Sequence, residues 1–205
     1  MTDPFIGLPR GHFKAIYADP PWRFKTWNNI ETVQARGSKS TFSIASVHYD
    51  TMPVEEIAAL PVADIAADDS TLFMWICWPM LPEALALIEA WGFTYKTCAF
   101  AWVKGDARQA EFFHDDVKPY MGMGYWTRAN SEVCLLATRG KPKRTHADVR
   151  QGIIEPRREH SRKPDCVHGR IERLVGGPYL ELFARAPRSG WTVWGNQTNK
   201  FTEAA

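Results

Sequence analysis

Apolar residues in this chain gather into short, mostly unbroken runs. Phe13 to Ala18, Thr71 to Cys77, Tyr95 to Lys104, Glu132 to Thr138, Tyr179 to Ala184 and Trp191 to Trp194 each read as a strand. A continuous run is what a strand buried on both faces of a parallel sheet requires. Between the runs the period changes. Leu81, Ala84, Leu85, Ile88 and Trp91 recur at helical spacing until Gly92 ends the series. Val167, Ile171, Leu174 and Val175 do the same after Pro164-Asp165, and Gly176-Gly177-Pro178 closes that helix. A third helix is expected to begin at Pro53, with Glu55 and Glu56 in the first turn where the helix dipole favours acids, and to run to about Leu60. Strand, helix, strand in this order is a βαβ unit, so the pattern predicts an α/β fold.

Three stretches carry no sustained period, at about 23–47, 105–126 and 139–163. Irregular chain of that length inside a domain is usually functional. The third stretch is basic. It holds Lys141, Lys143, Arg144, Arg150, Arg157, Arg158 and Arg162 against only Asp148, Glu155 and Glu159. A charge run of this kind is ordinarily a solvated face.

The first strand ends in Asp19-Pro20-Pro21-Trp22. Proline cannot donate to a sheet ladder and disfavours helix before it, so the run closes in a rigid turn that delivers an acid to a strand end. These residues suit the holding of a planar exocyclic amine. A carboxylate accepts one N–H, a proline carbonyl accepts the second, and an aromatic ring gives a base a face to stack on. The plainer reading is a strand-ending turn with a core tryptophan.

This stretch resembles the D-P-P-W catalytic motif of the MT-A70 family of adenine N6-methyltransferases. His48-Tyr49-Asp50-Thr51-Met52, Leu72-Phe73-Met74-Trp75, Ala101-Trp102-Val103-Lys104, Glu132-Val133-Cys134-Leu135, Ser161-Arg162-Lys163-Pro164-Asp165, Glu181-Leu182-Phe183-Ala184-Arg185 and Gly195-Asn196-Gln197 resemble further blocks of that family, in its order. The resemblance implies a Rossmann-like methyltransferase fold, a mostly parallel sheet with helices on both faces, in which the catalytic motif precedes the cofactor strand. It implies one catalytic domain over 1–205, with the three irregular stretches as active-site loops. It implies S-adenosylmethionine as cofactor and adenine in nucleic acid as substrate, with DNA favoured because a compact chain resembles the bacterial and phage branch.

The implied catalytic residues are Asp19, Pro20, Pro21 and Trp22. Tyr49, Trp75 and Trp102 would hold substrate, and Arg157, Arg158 and Arg162 would meet phosphate, which turns the basic run into a contact face. Asp19, Lys163, Arg185, Asn196 and Gln197 would hold the cofactor. Arg185 stands where related enzymes carry glycines, and the expectation is that Asp19 and Arg185 leave neighbouring strands. About a dozen residues precede Phe13, which leaves the contact to the cofactor's adenine unassigned.

Composition adds limits. The 205 residues, 45% hydrophobic, fit one domain with a full core and leave little room for a separate target-recognition domain. A net charge of +2 does not argue nucleic-acid binding by itself, so the distribution of charge must. Cys77, Cys98, Cys134 and Cys166 are scattered and no histidines cluster, so neither zinc nor a disulfide framework is signalled. With no apolar run near ~20 residues and no signal pattern, a soluble cytoplasmic protein without membrane or metal is expected. Whether it acts alone, as a homodimer or with a heteropartner stays open. Two competing readings are an RNA adenine N6-methyltransferase and a non-catalytic nucleic-acid-binding partner with a methyltransferase fold.

Overall fold

The computed structural model describes residues 3–22, 51–105, 122, 126–159 and 161–201. Tyr49, the stretch 23–47 and nearly all of 105–126 lie outside the described residues. Strand β1 (Phe13–Ala18) sets the frame, because its alternate residues feed opposite faces. Ile16 and Ala18 enter one apolar core, Ala15 and Tyr17 the other. There follow α1 (Val54–Ala58), α2 (Val62–Ile65), β2 (Ala66–Ile76), a 3-10 turn (Trp78–Met80), α3 (Leu81–Ala90), β3 (Thr94–Gly105), β4 (Ser131–Arg139), β5 (Gly152–Pro156), α4 (Cys166–Leu174), β6 (Tyr179–Leu182) and β7 (Trp191–Trp194).

The strands form one seven-stranded sheet in the order β5-β3-β4-β2-β1-β6-β7. The pairs β1–β2, β1–β6, β3–β5 and β6–β7 are parallel. Strand β4 runs antiparallel to both β2 and β3. The mostly parallel sheet expected from the sequence is present, with one refinement. The βαβ unit of β2, α3 and β3 leaves a gap between its two strands, and β4 fills it.

Helices cover both faces. Ile57, Val62, Ile65, Ala84, Leu87 and Ile88 from α1, α2 and α3 pack into one core, while Val167 and Ile171 from α4 pack into the other. Helix α3 stops where its pattern predicts, since Gly92 takes a left-handed φ of +79° and Phe93 donates its N–H back to the Ile88 carbonyl. Helix α4 starts at Cys166, directly after Pro164-Asp165 as expected. Asp165 precedes it without making a side-chain cap, and its carboxylate instead accepts Arg158 and Arg162.

Strand β5 is a correction to the irregular reading of 139–163. It is an edge strand in which Ile153 is buried and Ile154 exposed, and one inward apolar side chain among flanking arginines leaves no periodic signal. The connection from β1 to β2 runs over one face and that from β5 to β6 over the other. The strand order therefore reverses between β1 and β6, which opens a crevice beyond their carboxyl ends, where ligands of doubly wound sheets bind.

Candidate active site

Strands β1 and β6 are in parallel register, with Ala18 beside Leu182. The residues just beyond them emerge side by side, and an Arg185 guanidinium nitrogen lies 3.7 Å from Asp19 Oδ2. The third member arrives from across the crevice. Lys163, in the segment leading into α4, donates its Nζ to Asp19 Oδ2 at 2.8 Å. The same ammonium sits 3.3 Å from Glu132 Oε2, at the start of β4, and Lys104 from the end of β3 binds the other oxygen of Glu132. Four strand ends and one helix entry thus assemble an alternating line of charge: Lys104, Glu132, Lys163, Asp19, Arg185.

Each of these five side chains is exposed by a fifth or less, so the alternation of sign offsets part of what their burial costs. Burial alone would lower the Lys163 pKa, but Asp19 and Glu132 outweigh it and hold the ammonium well above its ordinary value. Burial alone would raise Glu132, but Lys163 and Lys104 outweigh that and hold it at about 2. A carboxyl held low contributes stability that is full above its unfolded value near 4.5 and is lost as pH falls toward about 2. Glu132→Gln is expected to remove ~2–3 kcal/mol of that acid-sensitive stability. Denaturation curves taken from neutral pH down through this window test it, and a variant whose profile runs parallel to that of the unsubstituted protein would remove Glu132 from this role.

Asp19, Arg162, Lys163, Glu181, Phe183 and Arg185 line a cavity of about 380 Å³ at the crevice. Two of its wall residues, Ser161 and Phe183, hold left-handed backbone with φ of 61° and 60°. For a residue as bulky as phenylalanine that is a strained conformation of the kind that collects at ligand sites. Glu181 is fixed from below, because His168 Nε2 contacts its carboxylate at 2.7 Å while the imidazole packs edge-on against Tyr17 and Trp191. The Tyr17 hydroxyl accepts the Trp75 indole N–H at 2.7 Å, and burial together with the nearby Glu181 charge keeps it protonated far above the ordinary tyrosine range.

The Asp-Pro-Pro-Trp turn is rigid for reasons its sequence only half reveals. Pro20 is buried and its carbonyl accepts the Trp22 N–H at 2.8 Å, and the Pro21 carbonyl accepts the Met52 N–H at 3.0 Å. Trp22 donates its indole N–H to the Trp75 carbonyl at 3.0 Å and is 3% exposed. Trp75 is fully buried, and Trp102, 3% exposed, donates to the Glu155 carbonyl. These three indoles are buried, Trp75 and Trp102 in the core beneath Lys163 and Lys104 and Trp22 in the core on the other face of the sheet, a supporting place rather than the stacking face expected from the sequence. Their motifs contain them because the turn and the strand ends need support.

Asn196 and Gln197 do not join the charged cavity. They line a separate shallow depression with Thr198, Asn199 and Lys200, and the Gln197 amide oxygen accepts Lys200 Nζ at 3.2 Å. Their segment touches the site through Phe201, whose N–H donates to the Arg185 carbonyl and whose ring underlies the Arg162 guanidinium. Gly195 is required where it stands, since a Cβ there would come within 3.0 Å of the Ala184 backbone.

The basic stretch is largely exposed, with Lys141, Lys143, Arg144, Arg150, Arg157 and Arg158 all at the surface. Arg158 and Arg162 converge on Asp165, Arg162 also reaches Glu159, and Arg170 supports β5 through the Arg150 and Gly152 carbonyls. Arg157 is exposed. Two of the three arginines assigned to phosphate are thus already paired with carboxylates, and Arg162 borders the cavity. Among the residues that sequence reasoning gave no role, Glu132, Lys104 and Glu181 lay in quoted motifs without a partner to explain them.

A doubly wound sheet that brings an acid, a lysine and an arginine together beyond its central strands, over a proline-rigid turn, defines a methyltransferase-type catalytic domain. The chain belongs to the MT-A70 family, whose model matches residues 13–197. It is 35% identical over 204 residues to the type II methyltransferase M.MunI of Mycoplasma sp., covering 95% of this chain and 82% of that protein. It is 27% identical over 192 residues to an N(6)-adenosine-methyltransferase MT-A70-like protein of Arabidopsis thaliana and 26% identical over 191 residues to the human N(6)-adenosine-methyltransferase catalytic subunit METTL3. Those matches take in 92% and 91% of this chain but only 24% and 28% of the two relatives. Among the described residues no helix is long and apolar enough to cross a membrane, and no group of His, Cys, Asp or Glu is arranged to hold a metal ion.

Proposed function

We propose that the chain transfers the methyl group of S-adenosylmethionine to the N6 amine of adenine in DNA. One observation carries this reading: Asp19, at the end of the central strand, is held between Lys163 and Arg185 on the wall of the crevice cavity. The two cations suit the carboxylate of an amino-acid zwitterion. Phe183 adds an aromatic face and Glu181 an acceptor for hydroxyls. Asn196 and Gln197 stand apart, so the cofactor assignment rests on Lys163 and Arg185.

The N6 amine is a poor nucleophile because its lone pair is delocalised into the ring. S-adenosylmethionine, when bound, supplies an electrophilic methyl group. The protein's part is to accept the amine hydrogens at Asp19 and at the second lone pair of the Pro20 carbonyl, which favours a pyramidal nitrogen and stabilises positive charge as it develops there. In a duplex the amine is stacked, so a base must be flipped or presented single-stranded.

DNA is favoured because the relative matched along most of its length is named a type II methyltransferase, whereas the N(6)-adenosine-methyltransferases are matched along about a quarter of theirs. Methyl transfer from labelled cofactor to matched DNA and RNA oligonucleotides tests the proposal. Label is expected in DNA adenine. Label only in RNA would overturn the substrate assignment, and absence of cofactor binding at millimolar concentration by calorimetry would favour a non-catalytic binding partner.

A further inference from the structure

Among the described residues Trp22, Trp75 and Trp102 are buried, so a further stacking surface for a nucleobase has to be sought at the rim of the site. Trp91 is fully buried and Trp191 is 8% exposed, whereas Trp126 is 100% and Trp78 52% exposed, and Trp78 has its indole on Ser131, next to Glu132. It stands in the 3-10 turn that follows β2, on the crevice side of the sheet. Its position is defined on two sides. The indole N–H reaches Ser131 Oγ at 3.3 Å, and Met80 two residues on is buried as the anchor of the turn.

Strand register fixes where that ring lies relative to Asp19. Ile76 pairs with Val133, so Cys77 stands opposite Glu132 and Trp78 opposite Ser131. Ala18 pairs with Met74, so Asp19 is level with Trp75. Trp78 lies beyond β2 in the 3-10 turn, with its indole on Ser131, and two ion-pair contacts, Glu132 to Lys163 and Lys163 to Asp19, lie between the residue next to Ser131 and the Asp19 carboxylate. Cys77 between them feels the charges of Glu132, Lys163 and Asp19, and its thiol is pushed up to about 11 by burial and Glu132. The ring is too far out to cover a base whose amine reaches Asp19. It is placed for the adjacent nucleotide of the same strand.

We propose that Trp78 is the stacking platform for the nucleotide next to the target adenine. This rests on the nucleic-acid reading above. An indole anchored through its N–H and half exposed keeps a π face for a base with little further ordering, and such stacking tolerates any base because every base has a face.

The test uses the full chain and a DNA oligonucleotide carrying 2-aminopurine beside the target adenine, with Trp78→Ala and Trp78→Phe. Trp78→Ala is expected to raise the oligonucleotide KM about ten-fold or more, with cofactor affinity and melting temperature unchanged. Trp78→Phe should restore most of the loss. Quenching of 2-aminopurine on binding should be present in the unsubstituted protein and lost in Trp78→Ala. An unchanged KM with retained quenching would overturn the proposal, as would a KM that rises equally in both variants. If the unsubstituted protein binds the oligonucleotide without methylating it, the functional reading fails, while the quenching comparison still decides the place of Trp78.

Discussion

Lys163→Met is expected to lower the melting temperature by roughly 10 °C and to abolish measurable binding of S-adenosylmethionine. The ammonium stands between two carboxylates, 2.8 Å from Asp19 and 3.3 Å from Glu132. Removing one member of a buried, hydrogen-bonded ion pair costs about 3–5 kcal/mol, because the remaining charges stay buried without compensation. In a domain of this size each kcal/mol moves the melting temperature by about 2–4 °C. Lys104 still neutralises Glu132, which places the expectation at the lower part of that range. Lys163 is held above its ordinary pKa, so its contribution is full at neutral pH and disappears only as pH rises beyond the ordinary lysine range. Combining Lys163→Met with Glu132→Gln should cost less than the sum of the two single changes, since both break the same Lys163–Glu132 contact. Thermal melts of the two single variants and the double variant, with calorimetry for the cofactor, make the measurement. A single variant that melts with the parent would show that the ion pair is not a structural element.

The sheet was legible because its strands announce themselves locally. Phe13–Ala18, Tyr179–Leu182 and Trp191–Trp194 are short apolar runs stopped by turn residues, and helix α3 carries its own period and its own glycine stop. The antiparallel insertion of β4 was not legible, because a run buried on both faces reads the same in either direction. Strand β5 was hidden for the opposite reason, with too few inward side chains to make a pattern.

At the site, family motifs led to Asp19, Lys163 and Arg185, and the fold brings these three together. What no local pattern could supply is pairing between distant residues. Lys163 meets Asp19 across 144 positions, and Arg158 and Arg162 both pair with Asp165. The tryptophans mislead in a related way. A motif marks that an indole matters without telling whether it faces the ligand or supports the turn, and only burial separates Trp75 from Trp78.

Asp19→Asn asks whether the carboxylate works in the transition state or only in binding. The substitution keeps the size and one oxygen acceptor, removes the charge, and can turn an NH₂ toward the substrate amine. If the carboxylate stabilises positive charge developing on N6, single-turnover methyl transfer should fall by roughly 10²-fold or more, the scale for loss of one preorganised electrostatic group. Cofactor affinity should stay within a few-fold, because Lys163 and Arg185 remain in the cavity wall. The fold should survive at a modest loss. Lys163 loses one of its two carboxylates but keeps Glu132, which makes this change milder than removal of the lysine itself. Three measurements separate the roles: single-turnover rate, cofactor affinity and melting temperature. A variant that keeps its single-turnover rate and loses only cofactor affinity, or that melts as early as Lys163→Met, would make Asp19 a binding or structural residue and would take the proposed charge stabilisation away from it.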